Sequence, residues 1–73
     1  MNETAGRHTG RILFYLPDKG FGYVRLAGTY EEFHFRAKNL SYARPAKDDL
    51  VTFRILDAKQ GYYADDIQRL GLA

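Results

Sequence analysis

One hexapeptide contains the side chains with the clearest chemical use. Segment 19–24 has the sequence KGFGYV, which places Phe21 and Tyr23 two residues apart with a glycine on each side of Phe21. In an extended strand, alternate residues share a face and stand about 7 Å apart. Exposed rings in this arrangement stack on unpaired bases, and a lysine such as Lys19 can meet a phosphate. The segment predicts a surface for single-stranded nucleic acid.

The alternative places both rings in the hydrophobic core, where aromatic side chains usually lie. Val24 and Leu26 occupy the other face of the same strand and already supply apolar side chains for a core. One face must then be exposed, and we assign Phe21 and Tyr23 to it.

Candidate catalytic and metal-binding groups are sparse. Glu31 and Glu32 are adjacent, as are Asp65 and Asp66, and a strand directs adjacent side chains to opposite faces. Ser41 is the only serine and has no evident base partner. Two histidines without any cysteine do not make a zinc site. We expect no catalytic residue, no metal and no cofactor.

Length and composition favour one small domain that functions in a reducing compartment. The chain has 73 residues, no cysteine and a formal charge of +2, which is too small by itself to indicate a polyanionic partner. Aromatic residues make up 15% of the chain, which is high for so small a core and indicates that some rings are exposed. No apolar run approaches the roughly 18 residues that a membrane span needs. We expect a cytoplasmic protein without membrane contact.

The pattern of apolar residues indicates an all-β fold. Short alternating segments are separated by turn residues, and no segment keeps a helical period. We expect a flexible N-terminal segment at 1–8, one domain at 9–70 and a tail at 71–73. The predicted strands are 10–16, 21–26, 30–36, 51–55 and 62–69, with a long loop at 37–49 that contains one short helical turn.

These segments, taken in order, resemble the cold-shock domain family. Residues 10–15 (GRILFY) resemble its first strand, and residues 19–24 resemble its first ribonucleoprotein motif. Similar matches continue through the end of the second ribonucleoprotein motif, the fourth strand and the closing strand, at residues 33–35, 51–53, Gly61, Ala64, Asp66 and Ile67. RNA recognition motif domains share the glycine-aromatic motif, but they need two amphipathic helices that this chain does not provide.

The resemblance implies a five-stranded antiparallel OB-fold barrel that binds single-stranded RNA or DNA with low sequence specificity. Such a protein acts as an RNA chaperone or a cold-shock-type regulator of RNA structure. Arg25 is also predicted to contact nucleic acid, because it is one of several cations that could line the path of the phosphates. The nucleic-acid contacts carried over from the family are Phe14, Lys19, Phe21, Tyr23, His34, Phe35 and Tyr42.

Two of these positions conflict with simple alternation. Phe14 would share a face with Ile12, and Phe35 with Phe33, so each needs a bulge or a strand end to turn it outward. Glu32 also departs from the family, because it stands where an exposed Phe is typical, and we expect its carboxylate near the Phe21 and Tyr23 rings. These departures predict weaker binding or a shifted site. They also leave open the alternative that the barrel is a protein-interaction module with a protein partner.

Overall fold

The structure, a computed structural model, describes residues 6–70. The predicted segment 1–8 lies outside this range except for its last residues, and the predicted tail 71–73 lies outside it entirely. Among the described residues, no helix is long and apolar enough to span a membrane. The strands are β1 (Arg7–Leu16), β2 (Phe21–Leu26), β3 (Glu32–Arg36), β4 (Leu50–Ala58) and β5 (Gly61–Arg69), with a 3₁₀ turn at Ala37–Asn39.

The first strand begins at Arg7 rather than at residue 10. Arg7 and His8 pair with Arg54 and Phe53 of β4, so these two residues belong to the sheet. Strand β4 likewise continues beyond residue 55, to Ala58. Local apolar alternation does not predict these strand ends, because the residues around them are largely polar. Cross-strand pairing extends the strands there.

The strands close into a barrel in the order β1-β2-β3-β5-β4. The predicted all-β fold with five strands is confirmed and is consistent with an OB-type barrel. Four neighbouring pairs are antiparallel, but β3 and β5 pair in parallel, with His34 opposite Tyr63. A closed ring with an odd number of strands cannot keep every neighbouring pair antiparallel. The sheet is therefore mixed rather than purely antiparallel.

The core is built from the inward positions of all five strands. Phe35 is one of its largest members, and its ring stacks on that of Tyr15 at a centroid distance of 5.9 Å. Burial of such side chains is the main favourable term in folding a domain of this size. The buried hydrophobic residues are Ile12, Val24, Phe33, Phe35, Val51, Phe53, Ala64 and Ile67.

Gly22 allows β1 to approach β2 closely. A Cβ atom at this position would collide with the carbonyl oxygen of Phe14 and would lie 2.8 Å from the Phe35 ring. The same part of β1 contains a bulge, since Ile12 pairs with Val24 but Phe14 pairs with Tyr23. The glycine and the bulge together set the geometry of the surface above them.

Candidate functional site

Four rings form a contiguous cluster on the outside of the barrel. We call Phe14, Phe21, Tyr23 and His34 the aromatic platform. The ring centroid of His34 lies 5.4 Å from that of Phe21 and 5.5 Å from that of Tyr23, and Phe14 lies 5.6 Å from Tyr23. Phe14 is 40% exposed, and the other three side chains are half-buried. The platform offers ring faces and edges to solvent above a core that is filled by other residues.

The register of three adjacent strands positions these rings. Tyr23 of β2 lies between Phe14 of β1 and His34 of β3, and it pairs directly with both. The bulge after Ile12 lets that residue point inward while Phe14, two positions later, points outward. The conflict between alternation and the predicted position of Phe14 is thereby removed.

Phe35 requires a correction, because its side chain is fully buried. Strand β3 pairs with β2 in regular register, so Phe33 and Phe35 both point into the barrel and His34 points out. No bulge in β3 turns Phe35 outward. Phe35 is therefore a core residue and cannot stack on a base.

Tyr42 lies apart from the platform. Its ring packs against the core, its hydroxyl donates a hydrogen bond to Asp49 Oδ2 at 2.9 Å, and the Arg69 guanidinium lies 6.0 Å from the ring centroid. Burial of the ring and the hydrogen bond to Asp49 raise the pKa of Tyr42 above its ordinary value. The structure assigns Tyr42 contacts that hold the long loop against the barrel.

Arg25 and Glu32 form an ion pair at the end of the platform. Arg25 Nη2 lies 3.2 Å from Glu32 Oε2, and its guanidinium lies 5.7 Å from the ring centroid of Tyr30. Glu32 pairs with Arg25, whereas the residue opposite Tyr23 is His34. The predicted position of Glu32 near the Phe21 and Tyr23 rings fits this register, because Glu32 shares the outward face of β3 with His34. Its carboxylate borders the platform and is neutralised there by Arg25.

A groove continues the platform across the junction of β3 and β5. We call this junction the seam and the groove the seam groove. Its lining includes Tyr23 of β2, His34 of β3, and Tyr62 and Tyr63 of β5. Sequence reasoning missed both tyrosines as site residues, because their position depends on the parallel pairing that closes the barrel. The complete lining of this seam groove is Tyr23, His34, Arg36, Lys38, Asn39, Ala58, Gln60, Gly61, Tyr62 and Tyr63.

Three cations near these rings have no acidic partner. Lys19 is exposed in the turn before β2, while Arg36 and Lys38 line the seam groove. Within residues 6–70, the ion pairs involve other basic residues, so these three charges are not compensated by a neighbouring carboxylate. They supply positive charge at the end of the sheet where β2 begins and β3 ends, next to Phe21.

The polar side chains of the described residues offer no candidate metal centre. Residues 6–70 contain no group of three or more His, Cys, Asp or Glu side chains that could hold a metal ion. The chain matches no protein-family model and no curated protein sequence. The interpretation of the platform therefore depends on its chemistry.

Proposed function

We propose that this protein binds single-stranded RNA or DNA on the aromatic platform, without catalysis and with low sequence specificity. The observation that supports this most directly is the contact of four partly exposed rings on one face of the barrel. Every base has a π-face, so stacking tolerates sequence changes. In a duplex those faces are covered by neighbouring base pairs, and single strands are the preferred ligand.

The division of apolar residues between core and surface also supports this proposal. Eight buried hydrophobic side chains fill the barrel, and none of the four platform residues is among them. Solvent exposure of clustered rings is unfavourable unless a partner covers them. The cations Lys19, Arg36 and Lys38, which have no acidic partner among the described residues, favour a negatively charged partner.

The resemblance of residues 10–15 and 19–24 to the cold-shock domain family supports a more specific role. A protein that traps unpaired segments disfavours RNA hairpins, which is the action of an RNA chaperone. We include this role, membership of that family and a cytoplasmic location in the proposal.

Fluorescence anisotropy with labelled oligothymidine, oligouridine and a duplex of equal length tests the proposal. We expect both single strands to bind more tightly than the duplex. Their affinity should fall with salt on a shallow slope, because few cations contact phosphates and each accounts for a slope of about 0.7 in a log–log plot. Equal affinity for single strand and duplex would contradict stacking. Absence of binding to all three would favour the protein-interaction alternative.

A further inference from the structure

We propose that a bound single strand continues from the platform past Tyr63 into the seam groove, where one further base stacks on Tyr62 and Arg36 and Lys38 meet its phosphates. This inference rests on the proposed function and adds a second subsite to it. It predicts a nucleic-acid site that extends across four strands of the barrel instead of three.

The first support is an unbroken row of aromatic residues across the sheet. Phe14 pairs with Tyr23, Tyr23 pairs with His34, and His34 pairs with Tyr63. Adjacent strands lie about 4.8 Å apart, so the backbones of consecutive members of the row are close neighbours. A strand that stacks on the platform meets Tyr63 as soon as it crosses the seam.

The second support is the state of the two tyrosines. Tyr62 is 64% exposed although its ring is large and apolar, and Tyr63 is half-buried in the groove wall. Within residues 6–70, neither ring pairs with another aromatic ring, whereas all four platform rings do. The exposed ring of Tyr62 is therefore open to a base.

The third support is the charge at the groove. Arg36 and Lys38 line it, and neither forms an ion pair with any carboxylate in the described part of the chain. A polyanionic strand fits this charge, while a neutralised pair such as Arg25 and Glu32 attracts it less. Cations and exposed rings in one groove are the combination that binds the phosphates and the bases of a single strand.

The fourth support is that the groove is rigidly built. Asn39 is only 6% exposed and joins two of its sides. Its Oδ1 accepts a hydrogen bond from the backbone N–H of Arg36 at 2.8 Å, and its Nδ2 donates one to Asp65 Oδ1 at 2.8 Å. These bonds hold the 3₁₀ turn that contains Lys38 against β5, so the subsite exists before a ligand arrives.

A length series of labelled oligothymidine, from about 4 to about 16 nucleotides, tests this inference with the variants Tyr62→Ala and Tyr62→Phe. Short oligomers occupy the platform alone, so we expect Tyr62→Ala to bind them as the wild type does. For the longest oligomers it should bind roughly 5-fold or more weakly, which is the loss of one stacked base. Tyr62→Phe keeps the ring and should match the wild type at every length.

A pair of lysine variants tests the phosphate contact separately. Lys38→Gln should lower the salt slope for long oligomers by about 0.7 and leave the slope for short ones unchanged. Lys47→Gln removes an exposed lysine that does not line the groove and should change neither slope.

Three results would overturn the inference, and they are distinguishable from failure of the proposed function. Tyr62→Ala binding identical to wild type at all lengths, while Phe21→Ala binding is impaired, would show that the platform binds without the seam groove. An equal loss at every length would place Tyr62 in the platform itself. No binding of wild-type protein at any length would overturn both proposals together.

Discussion

The platform and the opposite end of β1 differ in whether their side chains have partners within the barrel. On the platform side, rings face solvent and the nearby Lys19, Arg36 and Lys38 have no acidic partner within residues 6–70. At the other end of β1, Arg7 is held by hydrogen bonds to Asp66 and Thr52. Groups that satisfy one another stabilise the fold, and groups left without partners are available to a ligand.

The second region, which we call the Asp66 network, joins three strands. Arg7 Nη1 donates to Asp66 Oδ2 at 2.7 Å, and Arg7 Nη2 donates to Thr52 Oγ1 and to the backbone oxygen of Asp66, both at 2.8 Å. Asp66 Oδ1 accepts hydrogen bonds from Ser41 at 3.0 Å and Gln68 at 3.2 Å. Asp66 has a φ of 49°, a left-handed conformation that Asp tolerates better than most residues. The network therefore fixes an irregular point of β5.

The largest expected effect is that of Gly22→Ala, which disturbs the platform from below. The new methyl group would meet the Phe14 carbonyl and the Phe35 ring, and the backbone oxygen cannot move aside as a flexible side chain can. We expect a loss of about 3 kcal/mol in the free energy of unfolding, at the upper end of the cost of overpacking. Urea denaturation measures it. An unchanged midpoint would mean that β1 and β2 approach less closely than the structure shows.

Asp66→Asn is expected to have a smaller effect that is confined to stability. Hydrogen bonds from Gln68 and Ser41, and then the interaction with Arg7, lower the pKa of Asp66 below its ordinary value of 3.8. Because the folded-state pKa is depressed, the stabilisation is present above pH 3.8 and is lost as the pH falls through the folded-state value. At neutral pH we expect the variant to lose about 1 kcal/mol, since the carboxylate is only partly shielded from water.

Thermal melting across a pH series checks this prediction, with Asp57→Asn as the control. Asp57 is exposed and forms no ion pair among the described residues, so its variant should follow the wild type. The Asp66→Asn and wild-type curves should converge in acid, and single-strand affinity at neutral pH should be unchanged. A constant gap at all pH values, or a loss of affinity, would contradict a separation between the two regions.

Glu32→Gln is expected to have the smallest effect and acts on the border of the platform. Removing the carboxylate releases Arg25 from its exposed ion pair, so its guanidinium can meet a phosphate. We expect single-strand binding to strengthen by about 0.2 to 1 kcal/mol. Glu31→Gln makes the same change in net charge without breaking an ion pair of the described residues and should have less effect. Equal gains from both variants would mean that net charge alone is responsible.

The comparison with sequence-based expectation separates local from non-local features. Strand β2 and the outward rings of Phe21 and Tyr23 followed from alternation, which is a property of a few consecutive residues. The turn at Ala37–Asn39 also matched the predicted loop. For Phe35 the family resemblance predicts the wrong face, whereas alternation with Phe33 predicts the buried position that the structure has.

Other features depend on closure of the barrel and could not be predicted from local pattern. The parallel pair of β3 and β5 sets His34 beside Tyr63. Asn39 and Asp65 are 26 positions apart, so no local sequence pattern predicts their hydrogen bond. Nothing in the residues around Tyr62 distinguishes it from an ordinary exposed tyrosine. The seam groove is visible only once the strand order is known.

The most direct test of the account measures affinity and melting temperature on the same preparation of Phe21→Ala. The account predicts that single-strand binding weakens by about 1 to 3 kcal/mol while the melting temperature changes little, because the ring contributes to the surface. Phe35→Leu is the opposite control, since it alters a fully buried ring and should lower the melting temperature without changing affinity per folded molecule. If Phe21→Ala instead unfolds the domain and leaves the affinity of the folded fraction intact, the platform is part of the core and the proposed site is wrong.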